Sequence, residues 1–136
     1  MKLVVDSSAI VAILRGEPEA ERCLSALTKT TRALISAVNY VETGTVLAGR
    51  ASPSYRQQSV HDLDGFLSLY DIAIAPVTED HARFALRARI KYGRGFGAPA
   101  GLNFGDCFAY ALARTENAKL LYVGNDFAMT DVEGAI

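Results

Sequence analysis

Short apolar runs alternate along this chain with longer stretches of helical period. "KLVVD" at 2–6 reads as a buried strand and runs directly into "SSAIVAILRG", a helix stopped at Gly16. "EPEAERCLSALTKT" predicts a second helix, with Pro18 near its first turn and acids at its start. "ALIS" at 33–36 is a brief strand. "SAVNYVETGTVLAG" follows as a helix capped by Ser36 and ended by Gly49. The spacing then predicts a long amphipathic helix over 52–70, a strand over 72–77, and a helix over 78–93 capped by Thr78 with acids after it. "GRGFGAPAG" at 93–101 carries four glycines and a proline, so a mobile loop is expected. A helix over 103–117, a strand over 119–123 and a turn at 124–127 complete the pattern.

Strands alternating with helices from end to end predict an α/β fold. The expected form is a three-layer α/β/α sandwich with a mainly parallel central sheet, built from residues 1–136 as a single domain. Half the residues are hydrophobic, enough for one full core. No internal repeat, linker or low-complexity tract interrupts it.

Charge and cysteine content narrow the chemistry. A net charge of −1 excludes a generally basic nucleic-acid binder, so any such contact must come from a local patch. The two cysteines, Cys23 and Cys107, form no C-x-x-C pair and no zinc or redox motif. Their small number favours a reducing compartment, with one disulfide between them left open. Asp6, Ser7 and Ser8 break the apolar start that would otherwise resemble a signal sequence, and no run is long enough to span a bilayer. The expectation is a soluble cytoplasmic protein.

Four acids stand where a parallel sheet gathers ligands or where their neighbours are apolar. Asp6 ends the first strand and Asp126 follows the last one. Taken singly, Asp6 is an ordinary helix cap and Asp126 an ordinary turn residue. Glu42 lies mid-helix among Ala37, Val38, Tyr40, Val41 and Val46; Asp106 opens a helix flanked by Phe104, Cys107 and Phe108. Asp106 also suits a reciprocal cap with Asn103. If all four converge, mutual repulsion of roughly 4 kcal/mol per close pair requires a hard cation or a retained proton. An all-oxygen ligand set points to Mg²⁺ or Mn²⁺.

The pieces "VVDSSAIVAIL", "SAVNYVET", "LNFGDCFAYALA" and "LLYVGNDFAMTDV" together resemble the PIN-domain family, and within it the VapC toxins of toxin–antitoxin pairs. They occur in the family's order over nearly the whole chain. The resemblance implies catalytic and metal-binding roles for Asp6, Glu42, Asp106 and Asp126, a supporting hydroxyl at Ser8, and a further acid near the site at Asp131. Members often carry histidine where Ala98 stands here, a departure that bears on any proton-transfer role of that loop and not on the metal site. The resemblance also implies a Mg²⁺-dependent endoribonuclease that leaves a 5′-phosphate and a 3′-hydroxyl. It implies an RNA substrate, a small VapB-like antitoxin as inhibitor, and a homodimer.

No Ser–His–Asp or Cys–His arrangement is visible, so water is the expected attacker; His61 and His81 read as surface residues. Arg83, Arg87 and Lys91 line one helical face, with Arg89 and Arg94 nearby. They read equally as a phosphate-contacting stripe or as a solvated face. Tyr92 and Phe96 read equally as base-stacking groups or as packing. Three rivals stand beside the nuclease reading. An inactive PIN-like binding module is disfavoured by the presence of all four acids. A phospho-acceptor receiver is disfavoured because Asp6 has no adjacent acid and Lys119 precedes its strand. A haloacid-dehalogenase-type phosphatase is disfavoured because Ser8 breaks its D-x-D.

Overall fold

Successive strand residues point to opposite faces, and here both faces are covered. The computed structural model describes all of residues 1–136. Its strands are β1 (Lys2–Val5), β2 (Arg32–Ser36), β3 (Ile72–Ala75) and β4 (Lys119–Leu121). They form one sheet in the order β3-β2-β1-β4, with every pairing parallel; Val4 stands opposite Leu34 on one side and Leu120 on the other.

The helices are α1 (Ser7–Leu14), α2 (Ala20–Lys29), α3 (Ala37–Arg50), α4 (Arg56–Leu69), α5 (Glu79–Tyr92) and α6 (Phe104–Thr115). Leu3, Val5, Ala33, Ile35, Ile72 and Leu121 share one core with α1 to α4. Val4, Leu34 and Leu120 share the other with α5 and α6. This is the expected three-layer sandwich. The chain winds from β1 outward to β3 and then returns to place β4 on the other side of β1. The switch point between β1 and β4 opens a crevice at the carboxyl ends of the strands.

Several boundaries differ from the sequence expectation for local reasons. Pro18 lies in a turn before α2, whose first helical residue is Ala20. The segment 52–70 begins as a 3-10 turn, Pro53–Tyr55, before α4. β3 stops at Ala75, because Pro76 has no N–H for the ladder. Thr78 does cap α5, but the reciprocal partner is the His81 ring and not an acid, since His81 holds the third helical position.

The glycine-rich segment 93–101 is pinned at both ends. Leu102 N–H donates to Tyr92 O at 2.8 Å, Arg94 N–H donates to Leu102 O at 2.8 Å, and Leu102 is fully buried. No helix is long and apolar enough to cross a membrane. Both cysteines are free and buried.

Leu120, on the outer strand β4, packs into the core beneath α5 and α6 with no exposed surface. Leu120→Ala should therefore lower unfolding free energy by about 2–5 kcal/mol, measured by urea denaturation.

Candidate metal centre

Each of the four acids is positioned first by its own local structure, and the fold then brings all four together. Asp6 is the N-cap of α1: its Oδ2 accepts from Ser8 N–H at 3.0 Å and from the Ser8 hydroxyl at 2.6 Å. The Ser8 oxygen also accepts from Val123 N–H at 3.0 Å, tying the exit of β1 to the exit of β4. Asp106 is half of a reciprocal cap with Asn103: its Oδ2 accepts Asn103 N–H at 3.0 Å, and its own N–H donates to Asn103 Oδ1 at 2.8 Å. In both residues one carboxylate oxygen serves the helix start and the other is left over.

Glu42 is held across the crevice by two donors. Its Oε1 accepts from the Ser7 hydroxyl and from Asn39 Nδ2, the latter at 3.2 Å. Asn39, fully buried, also donates to Gly105 O at 3.0 Å, which locks α3 against the first turn of α6. A β-carbon on Gly105 would collide with Glu42 Oε2, so only glycine leaves room for this carboxylate. Asp126 is exposed. It reaches the crevice because Gly124 turns the chain at φ +101 and Phe127 anchors the segment in the core.

Asp6, Glu42, Asp106 and Asp126 line one cleft of about 330 Å³, together with Ser8. No three of them stand at the spacing of a closed ligand set. Their own helix caps and side-chain donors hold them apart, as mutual repulsion favours. Two features fit a hard cation nonetheless. Asp6 Oδ1 is buried with no hydrogen-bond partner, a costly state for a carboxylate oxygen. The ligating atoms on offer are all oxygens.

Electrostatics point the same way. Burial pushes the Asp6 carboxyl up to about 6 against the Ser8 hydrogen bonds, with Glu42 and Asp126 adding to the rise. Burial pushes Asp106 up to about 7, with the Asp6 charge as the next cause.

The remaining sequence candidates lie elsewhere. Asp131 does not join the cleft. Its Oδ1 accepts from the Tyr110 hydroxyl at 2.5 Å and its Oδ2 pairs with Arg114 at 3.7 Å. It lines a separate hollow with Met1, Lys2 and Lys119, at the amino ends of β1 and β4. The Tyr110 hydrogen bond lowers the Asp131 carboxyl below its ordinary value, as expected for a structural acceptor.

Arg83, Arg87, Lys91 and Arg94 are exposed, and none lines the acid cleft. Arg83 pairs with Glu79 at 3.5 Å, and Arg87 and Lys91 lie over the rings of Phe84 and Tyr92. Ser7, Asn39 and Gly105 were missed by sequence reasoning. "SAVNY" gave no sign that Asn39 faces inward. Gly105, inside a helix start where glycine is unfavourable, was a usable signal.

Residues 3–133 match the PIN domain family. The chain is 42% identical to Ribonuclease VapC28 of Mycobacterium tuberculosis, over 98% of each chain. It is 38% identical to Ribonuclease VapC of Mycolicibacterium smegmatis, over 96% of this chain and 97% of that one. Among solved structures it is similar to VapC20 of Mycobacterium tuberculosis, a sarcin–ricin-loop-cleaving toxin. The TM-score is 0.74 at 15% identity, covering 96% of this chain and 95% of that one. It is similar also to VapBC2 of Rickettsia felis bound to a promoter DNA fragment. There the TM-score is 0.70 at 19% identity, covering 98% and 96% of the two chains. At those identities the solved structures speak for the fold.

Two outcomes test the geometry. Gly105→Ala should drive the Glu42 carboxylate out of the cleft, seen as loss of the Asn39–Glu42 contact in a crystal structure. The second outcome concerns pH. Folding raises the Asp6 and Asp106 carboxyls above 3.8, to about 6 and about 7, so the folded chain holds protons that the unfolded chain has released. Their contribution to stability is therefore present at low pH and lost as pH rises from about 4 to about 7. In EDTA the melting temperature should fall across that window. The double variant Asp6→Asn with Asp106→Asn should flatten the fall, and Mg²⁺ should raise the midpoint more at pH 8 than at pH 5.

Proposed function

The chain belongs to the PIN-domain family, and from that premise we propose that it is an endoribonuclease acting as the toxin of a toxin–antitoxin pair. The observation that carries this reading is the convergence of Asp6, Glu42, Asp106 and Asp126 on one cleft, with Asp6 Oδ1 buried and unpartnered. The near-full-length likeness to proteins named as VapC ribonucleases supports the reaction class. The solved toxin–antitoxin assemblies of the same fold agree with a small VapB-like antitoxin as partner. Homodimer formation and a cytoplasmic location complete the proposal; the two free thiols suit a reducing compartment.

Asp6, Asp106 and Asp126 would hold Mg²⁺ or Mn²⁺, with Glu42 beside them. When bound, such an ion lowers the pKa of water and polarises a phosphodiester. The chain's own residues do the rest. Ser8 fixes the Asp6 carboxylate at the switch point through two hydrogen bonds. The Asn103 cap fixes Asp106 in the same way. Ser7 and Asn39 hold Glu42 as a hydrogen-bond acceptor, suited to orient the attacking water and to take its proton. The water oxygen bonds to phosphorus, the P–O3′ bond breaks, and O3′ leaves with a proton from solvent. The products are a 5′-phosphate and a 3′-hydroxyl.

Asp6→Asn should abolish RNA cleavage, a loss of at least about 100-fold, while keeping the helix cap and the fold. EDTA should stop the wild-type reaction and excess Mg²⁺ restore it. Cleavage by the purified chain that survives both Asp6→Asn and EDTA would end this assignment.

A further inference from the structure

A phosphodiester must enter a cleft whose walls carry the four acids and Glu17. Arg50, the last residue of α3, is the only cationic side chain on those walls. Its Nη1 stands 3.9 Å from Glu17 Oε2, and its side chain is 49% exposed. An ion pair so long and so open contributes little, so the guanidinium is cheaply transferred from Glu17 to another anion.

Arg50 also lines a second hollow of about 260 Å³. Arg15, Tyr55 and Asp62 line that hollow too. Arg15 is exposed and makes no ion pair. The Tyr55 hydroxyl donates to Asp62 at 3.2 Å, and Gln58 donates to the same carboxylate at 2.9 Å. These bonds orient a half-exposed ring and engage the one acid nearby.

Resting on the nuclease reading above, we propose that this second hollow is a subsite for the unpaired RNA nucleotide next to the scissile phosphate. Arg50 bridges the two hollows and grips the phosphate between them, in the bidentate way a guanidinium allows. The Tyr55 ring stacks on the base, and Arg15 meets the next phosphate. An acidic peptide would suit the two arginines but leaves the ring at this spacing unexplained. Continuity with the acid cleft, through a side chain common to both hollows, favours the RNA strand. Arg50 and Tyr55 thus act on substrate position and leave the bond-breaking groups untouched.

The test is fluorescence anisotropy of a labelled, unpaired RNA oligonucleotide with the full chain in EDTA, where binding is read without cleavage. Arg50→Ala should weaken binding about tenfold and reduce the slope of log Kd against log salt by about 0.7, the share of one phosphate contact on a single strand. Arg50→Lys should recover part of the affinity. Glu17→Gln should tighten binding by freeing Arg50. Tyr55→Leu should weaken binding several-fold while Tyr55→Phe stays close to wild type. Melting temperatures of these variants should match the parent.

If Arg50→Ala and Tyr55→Leu leave both Kd and salt slope unchanged, the subsite is overturned. It is equally overturned if an acidic peptide binds through Arg50 while RNA affinity ignores it, or if wild type binds no RNA. Wild type that binds RNA through Arg50 yet cleaves none would overturn the nuclease reading alone.

Discussion

Like-charge repulsion between carboxylates in a confined cleft is the constraint around which this end of the molecule is arranged. At an effective dielectric near 20, two such charges about 4 Å apart oppose one another by roughly 4 kcal/mol. The fold tolerates them by giving three of the four a private set of donors, Ser8 for Asp6, Asn103 for Asp106, and Ser7 with Asn39 for Glu42, while Asp126 stays exposed to water. Those donors satisfy one oxygen of each of the three and keep the groups apart. Asp6 Oδ1 is the remainder, buried and unmatched. A cation binding there would relieve a tension that the polypeptide maintains by its own geometry.

Packing enforces that geometry at a distance from the charges. The parallel sheet places Asp6 at its switch point because β4 returns beside β1. Asn39 and Gly105 then set how closely α3 approaches α6. Such an approach leaves no slack: a single methyl group on Gly105 would meet a carboxylate oxygen. The acids therefore depend on contacts between elements, and residues that do not line the cleft, Asn39 and Gly105, control where Glu42 stands.

The layer order and the parallel sheet were legible in the sequence, because buried strands such as "KLVV" and "ALIS" stand out as short apolar runs between helical periods. Boundaries were less legible. Pro18 fits both a first helical turn and the turn before a helix, and only tertiary contacts decide. The acids could be named from their places at strand ends and helix starts, yet their convergence could not, since it is a property of the tertiary fold. For Asp6 and Asp106 a capping role does not rule out a second one, because one oxygen of each caps a helix while both residues line the cleft. Asp131 was expected near the site only through the family resemblance, and the chain's own contacts with Tyr110 and Arg114 hold it in a different hollow. Arg50 and Glu17 carried no sequence signal, since an arginine ending a helix is ordinary.

The double duty of Asp6 and Asp106 bears on how such a chain would drift once freed from selection for catalysis. Alanine at either position removes a charge and also a helix cap, so the fold itself is penalised. Asparagine or serine removes the charge, relieves the crowding and still caps the helix. Lineages that lose the chemistry but keep the domain should therefore accumulate those two residues at the helix starts, leaving silent descendants more heat-resistant than their active ancestors.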